Sequence, residues 1–249
     1  MGLTLAALEH YSYLRTHNQP KSKGYMIYKK AITLLLMLVG CSALLHAQDG
    51  QIGAGVRVGN IATFGTFGAL TVEGHHHFNN SLAVEGGVMT TSYERTAAEV
   101  RPSYSLDVPF GTLHFEALLH YAGQNGINNY AIGGGVGIEV GHFWATAGYY
   151  HRTLQSGSDH LAEPFNLYYS FGVSCLPQVE DWDLKVEFSN SRLLLLDRHY
   201  LPSLAVDGCW HYSDKVGVNL GVCYTPTGIF HISSDFYRLY TTLGVCYKW

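Results

Sequence analysis

Charged and histidine side chains recur at every second position within otherwise apolar stretches of this sequence. In residues 112–122, for example, His114, Glu116 and His120 alternate with apolar neighbours. A period of two places alternate side chains on the same face of a β-strand. We predict that one polar, inward-facing surface is formed by Arg57, Glu73, His75, His77, Glu85, His114, Glu116, His120, Glu139, Asp183, Lys185, Glu187, Asp207, His211, Lys215, Arg238 and Lys248.

Two interpretations of this polar surface remain open. In the first, it lines a permeation path, and carboxylates along such a path favour cations. The centre of that path would be formed by Glu73, Glu85, Glu116, Glu187 and Asp207. In the second, the Lys and Arg side chains pair with these carboxylates and plug the interior, which leaves a satisfied polar lumen. Alternation alone produces the same polar set in both cases.

The run His75-His76-His77 raises the question of a metal site. His75 and His77 share a face with Glu73, and Glu85 lies on the next predicted strand. Imidazole and carboxylate ligands suit Zn, Cu or Fe. Three polar residues close to a turn give the same pattern, and strand spacing alone does not fix ligand geometry. We therefore predict no metal site and no cofactor.

The elements that must position these residues are short strands. Twelve alternating segments of about 9–13 residues follow one another, and transmembrane strands need about 9–11 residues. They are residues 50–59, 68–78, 81–92, 98–108, 112–122, 130–140, 143–153, 164–175, 181–190, 200–211, 215–225 and 235–248. Pro102 disfavours a strand at 98–108, but omitting that segment would leave an odd number of strands.

The faces of these strands favour a closed barrel over a secreted β-sandwich. One face is apolar in all the strands, whereas the other is rich in Gly and charge and would make a poor sandwich core. After residue 47 no apolar stretch is long enough for a spanning helix, which needs about 20 residues. A membrane protein without such helices must be a closed barrel, because only closure pairs every backbone group. The prediction is an all-β, transmembrane antiparallel up-and-down β-barrel of about 12 strands.

The connections between the predicted strands alternate in length. The links at 79–80, 109–111, 141–142 and 212–214 are short, and those after Asn60, Gln124, Thr153, Asn190 and Thr225 are longer. Short periplasmic turns and longer outer loops are typical of bacterial barrels. Even these outer links are modest, so we expect no plug folded into the lumen. The lumen could hold a narrow water path, particularly beside the small inward residues Gly133, Gly135 and Gly137.

The N-terminal region predicts export. Lys29 and Lys30 precede an apolar run, Ala31–Leu45, and a small residue at Ala47. A charged segment, an apolar segment and a small residue at the cut describe a signal peptide. The predicted division is a mis-called N-terminal extension at 1–25, with Met26 as the better start, a signal peptide at 26–47 and an outer-membrane β-barrel at 48–249. An uncleaved anchor and acylation of Cys41, in the lipobox-like Leu38–Cys41, are alternatives.

Four cysteines follow this cut. An exported location permits disulfides. The alternation places Cys175 on the outer face and the other three on the inner face, with Cys223 near the outer end of its strand and Cys209 and Cys246 near the inner end of theirs. No obvious pair is close. We therefore expect free thiols.

The chain ends on Leu243, Val245, Tyr247 and Trp249, an alternating strand with an aromatic C-terminus. With the Ala-Gln end of the signal peptide, this resembles small outer-membrane β-barrels of Bacteroidota. The resemblance implies a location in the outer membrane, contact with its lipid, and recognition of the C-terminal strand by the barrel-assembly machinery. A net charge of −4 without long basic runs argues against a nucleic-acid partner. The sequence does not identify envelope protein partners.

One short motif raises the possibility of an enzyme. His231-Ile232-Ser233 resembles the His-x-Ser pair of the outer-membrane phospholipase family, in which an Asn on a neighbouring strand orients the His. Here no Asn follows the motif, and Asn219 lies inward on the preceding strand. The requirement for base, nucleophile and orienting group is not met. We predict a non-enzymatic barrel, either a narrow pore with a carboxylate-rich lumen or a non-conducting scaffold for envelope proteins, and a lipid hydrolase is the third alternative.

Overall fold

The computed structural model describes residues 49–61, 65–175, 181–195, 202–225 and 237–249. The described residues form twelve strands: β1 (Asp49–Ile61), β2 (Gly65–His77), β3 (Leu82–Thr91), β4 (Thr96–Val108), β5 (Gly111–Gln124), β6 (Ile127–Val140), β7 (Phe143–Ser156), β8 (Asp159–Cys175), β9 (Trp182–Ser189), β10 (Ser203–His211), β11 (Val216–Tyr224) and β12 (Tyr237–Lys248). The predicted extension 1–25 and signal peptide 26–47 lie outside this range.

The strands form one closed antiparallel barrel in chain order. β1 pairs with β12 from Gln51 opposite Lys248 to Ile61 opposite Tyr237, so the sheet has no free edge. The predicted barrel of about twelve strands is confirmed, including the strand that contains Pro102. The described residues contain no helix long and apolar enough to cross a membrane.

The C-terminal residue covers the seam of the barrel. Trp249 donates its backbone N–H to the carbonyl oxygen of Gly50 at 3.2 Å. Its indole ring lies where a side chain at residue 50 would be, because a Cβ on Gly50 would come within 2.5 Å of the ring. Gly50 therefore allows the terminal aromatic side chain to pack on the first strand.

The outer face exposes apolar and aromatic side chains around the barrel. Val56, Leu70, Val136, Leu220 and Leu243 are all exposed at outward positions. Exposed aromatic residues lie towards both ends of the strands; they include Phe110, Phe143, Trp182, Trp210 and Tyr247 at one end and Tyr130 and Tyr224 at the other. An apolar band between two aromatic girdles is typical of membrane barrels.

The two ends of the barrel differ in their connections. We call the end with the first residues of β1 and the last of β12 the terminal end, and the opposite end the loop end. The predicted long links after Gln124 and Thr153 are wrong, because the β5–β6 and β7–β8 connections at the loop end contain only two residues each. Asn125 and Gly126 both have positive φ, of 49° and 81°. This is the pattern of a tight type I′ hairpin turn, so the strands run further than the alternation indicated.

The wall of the barrel is uneven in height. Strands β5 to β8 contain 14 to 17 residues, whereas β9, β10 and β11 contain only eight or nine. The long connections at the loop end are β9–β10, residues 190–202, and β11–β12, residues 225–236. The first of these connections joins two of the short strands, β9 and β10.

Candidate functional site

Strand register shows which residues share the inner face. Glu73 lies opposite Gly53, His75 opposite Glu85, and Lys185 opposite Asp207. By the same register, the predicted inward residues that lie in strands and have described side chains stand at inner-face positions, whereas Lys215 lies in the exposed turn before β11. In β12, the side chain of Arg238 is outside the described part. Among these residues Arg57 is buried, Glu73, His114, Glu116, Glu187 and Asp207 are half-buried, and His75, His77, Glu85, Glu139 and Lys185 are exposed.

The part of the lumen towards the terminal end contains space for water. Glu85 and Lys185 stand on inner-face positions of β3 and β9, yet both are exposed. Within the described residues, neither Glu85 nor Glu187 forms a direct ion pair. We call this region the vestibule. Glu85 is its exposed carboxylate, and a cation that entered the lumen from this end would meet it.

The lumen towards the loop end is occupied by part of the β9–β10 connection. We call residues 191–195 the inserted segment. Leu194 is 0% exposed and Leu195 is 7% exposed. They belong to a buried apolar cluster with wall residues Phe67, Ala69, Met89, Ala97, Ala122, Ala205, Cys223 and Tyr240. The expectation that no connection folds into the lumen is therefore wrong, and burial of these leucines explains the inward path.

Glu99 on β4 anchors the inserted segment. One carboxylate oxygen accepts a hydrogen bond from the backbone N–H of Leu194 at 3.0 Å and contacts His120 Nδ1 at 2.8 Å. The other oxygen pairs with Arg101, whose guanidinium also donates to the carbonyl oxygen of Ser191. Because Glu99 is 1% exposed, these partners replace the water that the carboxylate loses.

A second anchor joins the segment to the opposite side of the lumen. Arg192 Nη2 lies 2.8 Å from the Asp207 carboxylate on β10. Arg57 pairs with Glu73 and stacks over the ring of Tyr240, 5.7 Å from its centroid. Two of the carboxylates predicted to attract cations are thus paired with arginines, as the plugged interpretation requires.

The backbone of the inserted segment is strained at one residue. Leu195 N–H donates to the carbonyl oxygen of Arg192 at 2.9 Å, which closes a turn. Leu194 has a φ of 66°, a left-handed conformation that costs a non-glycine residue about 1–2 kcal/mol. Gly87 makes room for Leu194, because a Cβ there would come 3.2 Å from the leucine Cδ1. The surrounding contacts hold the turn in this conformation.

Tyrosines from β7 and β8 fill the lumen along the strands between the two anchors. Tyr150, Tyr168 and Leu118 form a second buried cluster with Ala131. The space beside the inward glycines is therefore filled, and the predicted water path is wrong: Tyr168 occupies the position above Gly135, and a Cβ on Gly133 would lie 2.6 Å from that of Tyr150. The glycines accommodate aromatic side chains.

The remaining sequence-predicted residues form smaller groups. His114 contacts Ser105 Oγ at 2.9 Å and the Glu139 carboxylate at 3.5 Å. Within the described part of the chain, no three or more His, Cys, Asp or Glu side chains are grouped so as to hold a metal ion. The His231-Ile232-Ser233 motif lies outside the described residues.

The expectation that no cysteines approach each other is wrong. The Sγ atoms of Cys209 on β10 and Cys246 on β12 are 3.6 Å apart, although both thiols are free. The sequence placed both on the inner face, but a register across three strands was needed to show that they meet.

The sequence interpretation missed the residues of the main anchor. Glu99 and Arg101 lie opposite Gly87 and Glu85 in register, so both stand on the inner face of β4. A signal for the inserted segment exists in Leu193–Leu196, four consecutive leucines in a link expected to be exposed. Such a run is unfavourable in water and indicates a buried position.

No protein-family model matches this sequence, and no curated protein matches it significantly. Solved barrels match its structure. The KdgM porin in complex with disordered oligogalacturonate is 13% identical, with a TM-score of 0.52 over 80% of this chain and 99% of that one. The NanC porin is 10% identical, with a TM-score of 0.50 over 80% and 100%. The translocator domain of the autotransporter NalP from Neisseria meningitidis is 13% identical, with a TM-score of 0.51 over 92% and 98%.

The chain has the fold of outer-membrane β-barrels. At such low identity the likeness is one of fold, and it covers both porins and a translocator domain. What passes through the lumen, and whether anything does, depends on the residues of this chain.

Proposed function

We propose that this protein is an integral outer-membrane barrel that forms a narrow pore, restricted by the inserted segment. The observation that carries the proposal is the arrangement of the lumen, in which a water-accessible vestibule ends at a short segment held by side-chain contacts. The apolar outer face with its aromatic girdles supports a position in lipid. The signal peptide predicted at 26–47 would direct export.

The inserted segment is suited to local displacement. It belongs to a connection of 13 residues, 190–202, so it can move without breaking a strand. The strain at Leu194 is released when the turn opens. Its attachment rests on the contacts of Glu99, Arg101 and Asp207 and on the burial of two leucines.

The charge of the vestibule favours small cations. Glu85 is exposed and Glu187 is half-buried; within the described residues neither forms a direct ion pair, although Arg101 stands opposite Glu85 in register. Rings or clusters of carboxylates select cations in channels. Lys185 stands among them and reduces the preference, so we expect weak selectivity for cations over anions.

Single-channel recording in planar bilayers tests this proposal. The test variant replaces residues 192–195 with the sequence Gly-Ser-Gly-Ser, and the control variant does the same in the exposed turn 212–215 at the terminal end. We expect a small wild-type conductance, a severalfold larger one for the test variant, and no change for the control. Glu85→Gln should lower the cation preference read from the reversal potential. If neither wild type nor the test variant conducts, the pore is refuted.

A closed scaffold is the second candidate. The specific observation in its favour is the burial of Leu118, Tyr168 and Leu194 inside the lumen, each at most 2% exposed. Such packing closes the lumen, whereas the lumen of a porin is open. The recordings decide here as well, because a scaffold remains silent when the inserted segment is removed.

We also propose that the barrel-assembly machinery recognises β12 through its terminal aromatic residue. Trp249 packs over Gly50 in the finished barrel, so it would be available to a partner only before β1 and β12 pair. Trp249→Ala should slow assembly in vivo, while Trp249→Phe should not. Equal accumulation of folded barrel for both variants and wild type would contradict this recognition.

A further inference from the structure

Two thiols and an imidazole meet inside the barrel near its terminal end. The Sγ atoms of Cys209 and Cys246 are 3.6 Å apart, and Cys209 Sγ lies 3.8 Å from His211 Nδ1. The two cysteines belong to β10 and β12, with β11 between them. They meet above Gly217, where a Cβ would lie 2.8 Å from both sulfur atoms. The absence of a side chain at this position is what allows the sulfurs to approach.

The imidazole is held by a carboxylate. His211 Nε2 lies 2.7 Å from Asp183 Oδ2 on the neighbouring strand β9. This contact favours the tautomer in which Nε2–H donates to the carboxylate, which leaves the lone pair of Nδ1 directed to Cys209. A carboxylate that orients the second nitrogen of a histidine in this way is the usual neighbour of a metal-binding histidine.

We propose that Cys209, Cys246 and His211 bind one thiophilic divalent cation of the zinc class. Thiolate and imidazole ligands suit such an ion. An ion about 2.3 Å from each sulfur, the usual Zn–S distance, would subtend an angle of about 100° across this sulfur pair, which is close to tetrahedral. Binding converts two thiols into two metal-bound thiolates, releases two protons and transfers no electrons.

The spacing of the strands favours a metal bridge over a disulfide. Adjacent strands lie about 4.7–4.9 Å apart, so β10 and β12 are separated by roughly 9 Å across β11. A disulfide requires Cα atoms within about 7 Å, which would draw the two strands together over the intervening one. A metal ion between the sulfurs spans the existing gap without moving the backbone.

The site needs one local adjustment to bind the ion. The donors of the described structure are not yet grouped around one ion position, so the side chains of Cys246 and His211 must close around the ion while His211 keeps its contact with Asp183. Asp183 is a guide for an entering cation, since its side chain is 62% exposed at the mouth of the barrel while that of His211 is 14% exposed. Lys248, on the inner face two residues after Cys246, repels the cation. The two negative thiolates that form when the thiols lose their protons offset this repulsion.

Titration of the reduced protein with Cd²⁺ in detergent tests the site. Thiolate ligation gives an ultraviolet charge-transfer band, which we expect to saturate at one ion per chain with release of two protons. Cys209→Ser and Cys246→Ser should each abolish saturable binding. Asp183→Asn should weaken binding about 10–100-fold, as loss of an orienting carboxylate does. Gly217→Ala should also prevent binding, because its Cβ occupies the space between the sulfurs.

Matched controls come from the other two cysteines of the barrel. Cys175→Ser on β8 and Cys223→Ser on β11 keep the pair intact and should leave the titration unchanged, with circular dichroism showing that each variant is folded. The proposal is overturned if folded wild type gives no band, or if the band persists in both Cys209→Ser and Cys246→Ser. It is also overturned if the thiols of the protein purified without reductant are joined as a disulfide and the reduced form binds no Cd²⁺. None of these outcomes depends on whether the lumen conducts.

Discussion

Glu99 is the residue on which the inserted segment depends most directly. Its carboxylate contacts Arg101, His120 and the backbone N–H of Leu194 while almost fully removed from water. Replacing it by Gln leaves the neighbouring guanidinium without its charge partner, and breaking a buried pair in this way costs about 3–5 kcal/mol. Glu85 stands opposite Arg101 in register and should limit the loss. We expect Glu99→Gln to lower the free energy of unfolding by about 3 kcal/mol in urea titrations.

Glu163 provides the control for that measurement. Its carboxylate is 25% exposed and lies 3.8 Å from Arg152 Nη1, a longer and more hydrated pairing. Glu163→Gln should cost less than Glu99→Gln, because this carboxylate keeps partial access to water and its ion pair is longer. Equal losses for the two variants would show that burial of the Glu99 carboxylate does not strengthen its contacts.

The positive φ of Leu194 predicts an unusual order of substitutions. Both Leu194→Ala and Leu194→Gly remove the buried side chain, at a cost of about 2–5 kcal/mol. Glycine also relieves the left-handed backbone, so the Gly variant should be about 1 kcal/mol more stable than the Ala variant. At Leu195, which has no positive φ, the order should reverse. Thermal unfolding of the four variants measures both orders.

At the scale of residues, the sequence predicted faces better than contacts. Alternation correctly separated Cys175 from Cys209 and Cys246, because the side-chain period of a strand is fixed. It could not show that the last two meet, since that depends on the register of three strands and on the missing side chain of Gly217. Glu99 lies within the predicted segment 98–108, but the alternation was followed only from Val100 onwards, so Glu99 was left out of the inner-face set.

At the scale of elements, glycines on opposite faces of β6 should respond differently to the same change. A Cβ on inward Gly135 would come within 2.8 Å of the Ala147 carbonyl oxygen and would also contact Tyr168, whereas a Cβ on outward Gly134 has one neighbour at 3.1 Å. Overpacking of a buried site costs about 1–3 kcal/mol. Gly135→Ala should therefore lower the unfolding midpoint in urea, and Gly134→Ala should leave it nearly unchanged. A similar shift for both would contradict the packing of Tyr168 against β6.

The strands themselves were largely predictable, and the connections were not. Residues 112–122 and 130–140 were extended by the structure to β5 and β6, joined by Asn125-Gly126. An Asn-Gly pair signals a tight hairpin, but polar residues beside it resemble a loop when only hydrophobic alternation is read. The position of the inserted segment was not predicted, because it depends on the space inside a closed barrel. That space exists only after all the strands have paired.

At the scale of the whole molecule, the distribution of apolar and charged side chains is the inverse of that in a water-soluble protein. Apolar side chains such as Val136 and Leu243 are exposed outside, and Glu99 and Arg57 are buried inside. In water this arrangement would be unfavourable, because the outward apolar area gains nothing from folding. In lipid it is favourable on both sides, since the outer face meets hydrocarbon and the inner charges find partners within the closed sheet.

A pair of lysine substitutions tests that view of the whole molecule. Val136 lies on the outer face between Phe115 and Ala147, and Ser103 lies on the inner face opposite Glu116. In lipid vesicles Val136→Lys should cost about 2–4 kcal/mol, as for a lysine facing the middle of a bilayer, whereas Ser103→Lys can pair with Glu116 and should cost far less. Urea unfolding from vesicles measures both. If Val136→Lys is as harmless as a substitution on a water-exposed surface, then the outer face does not contact lipid and the membrane assignment fails.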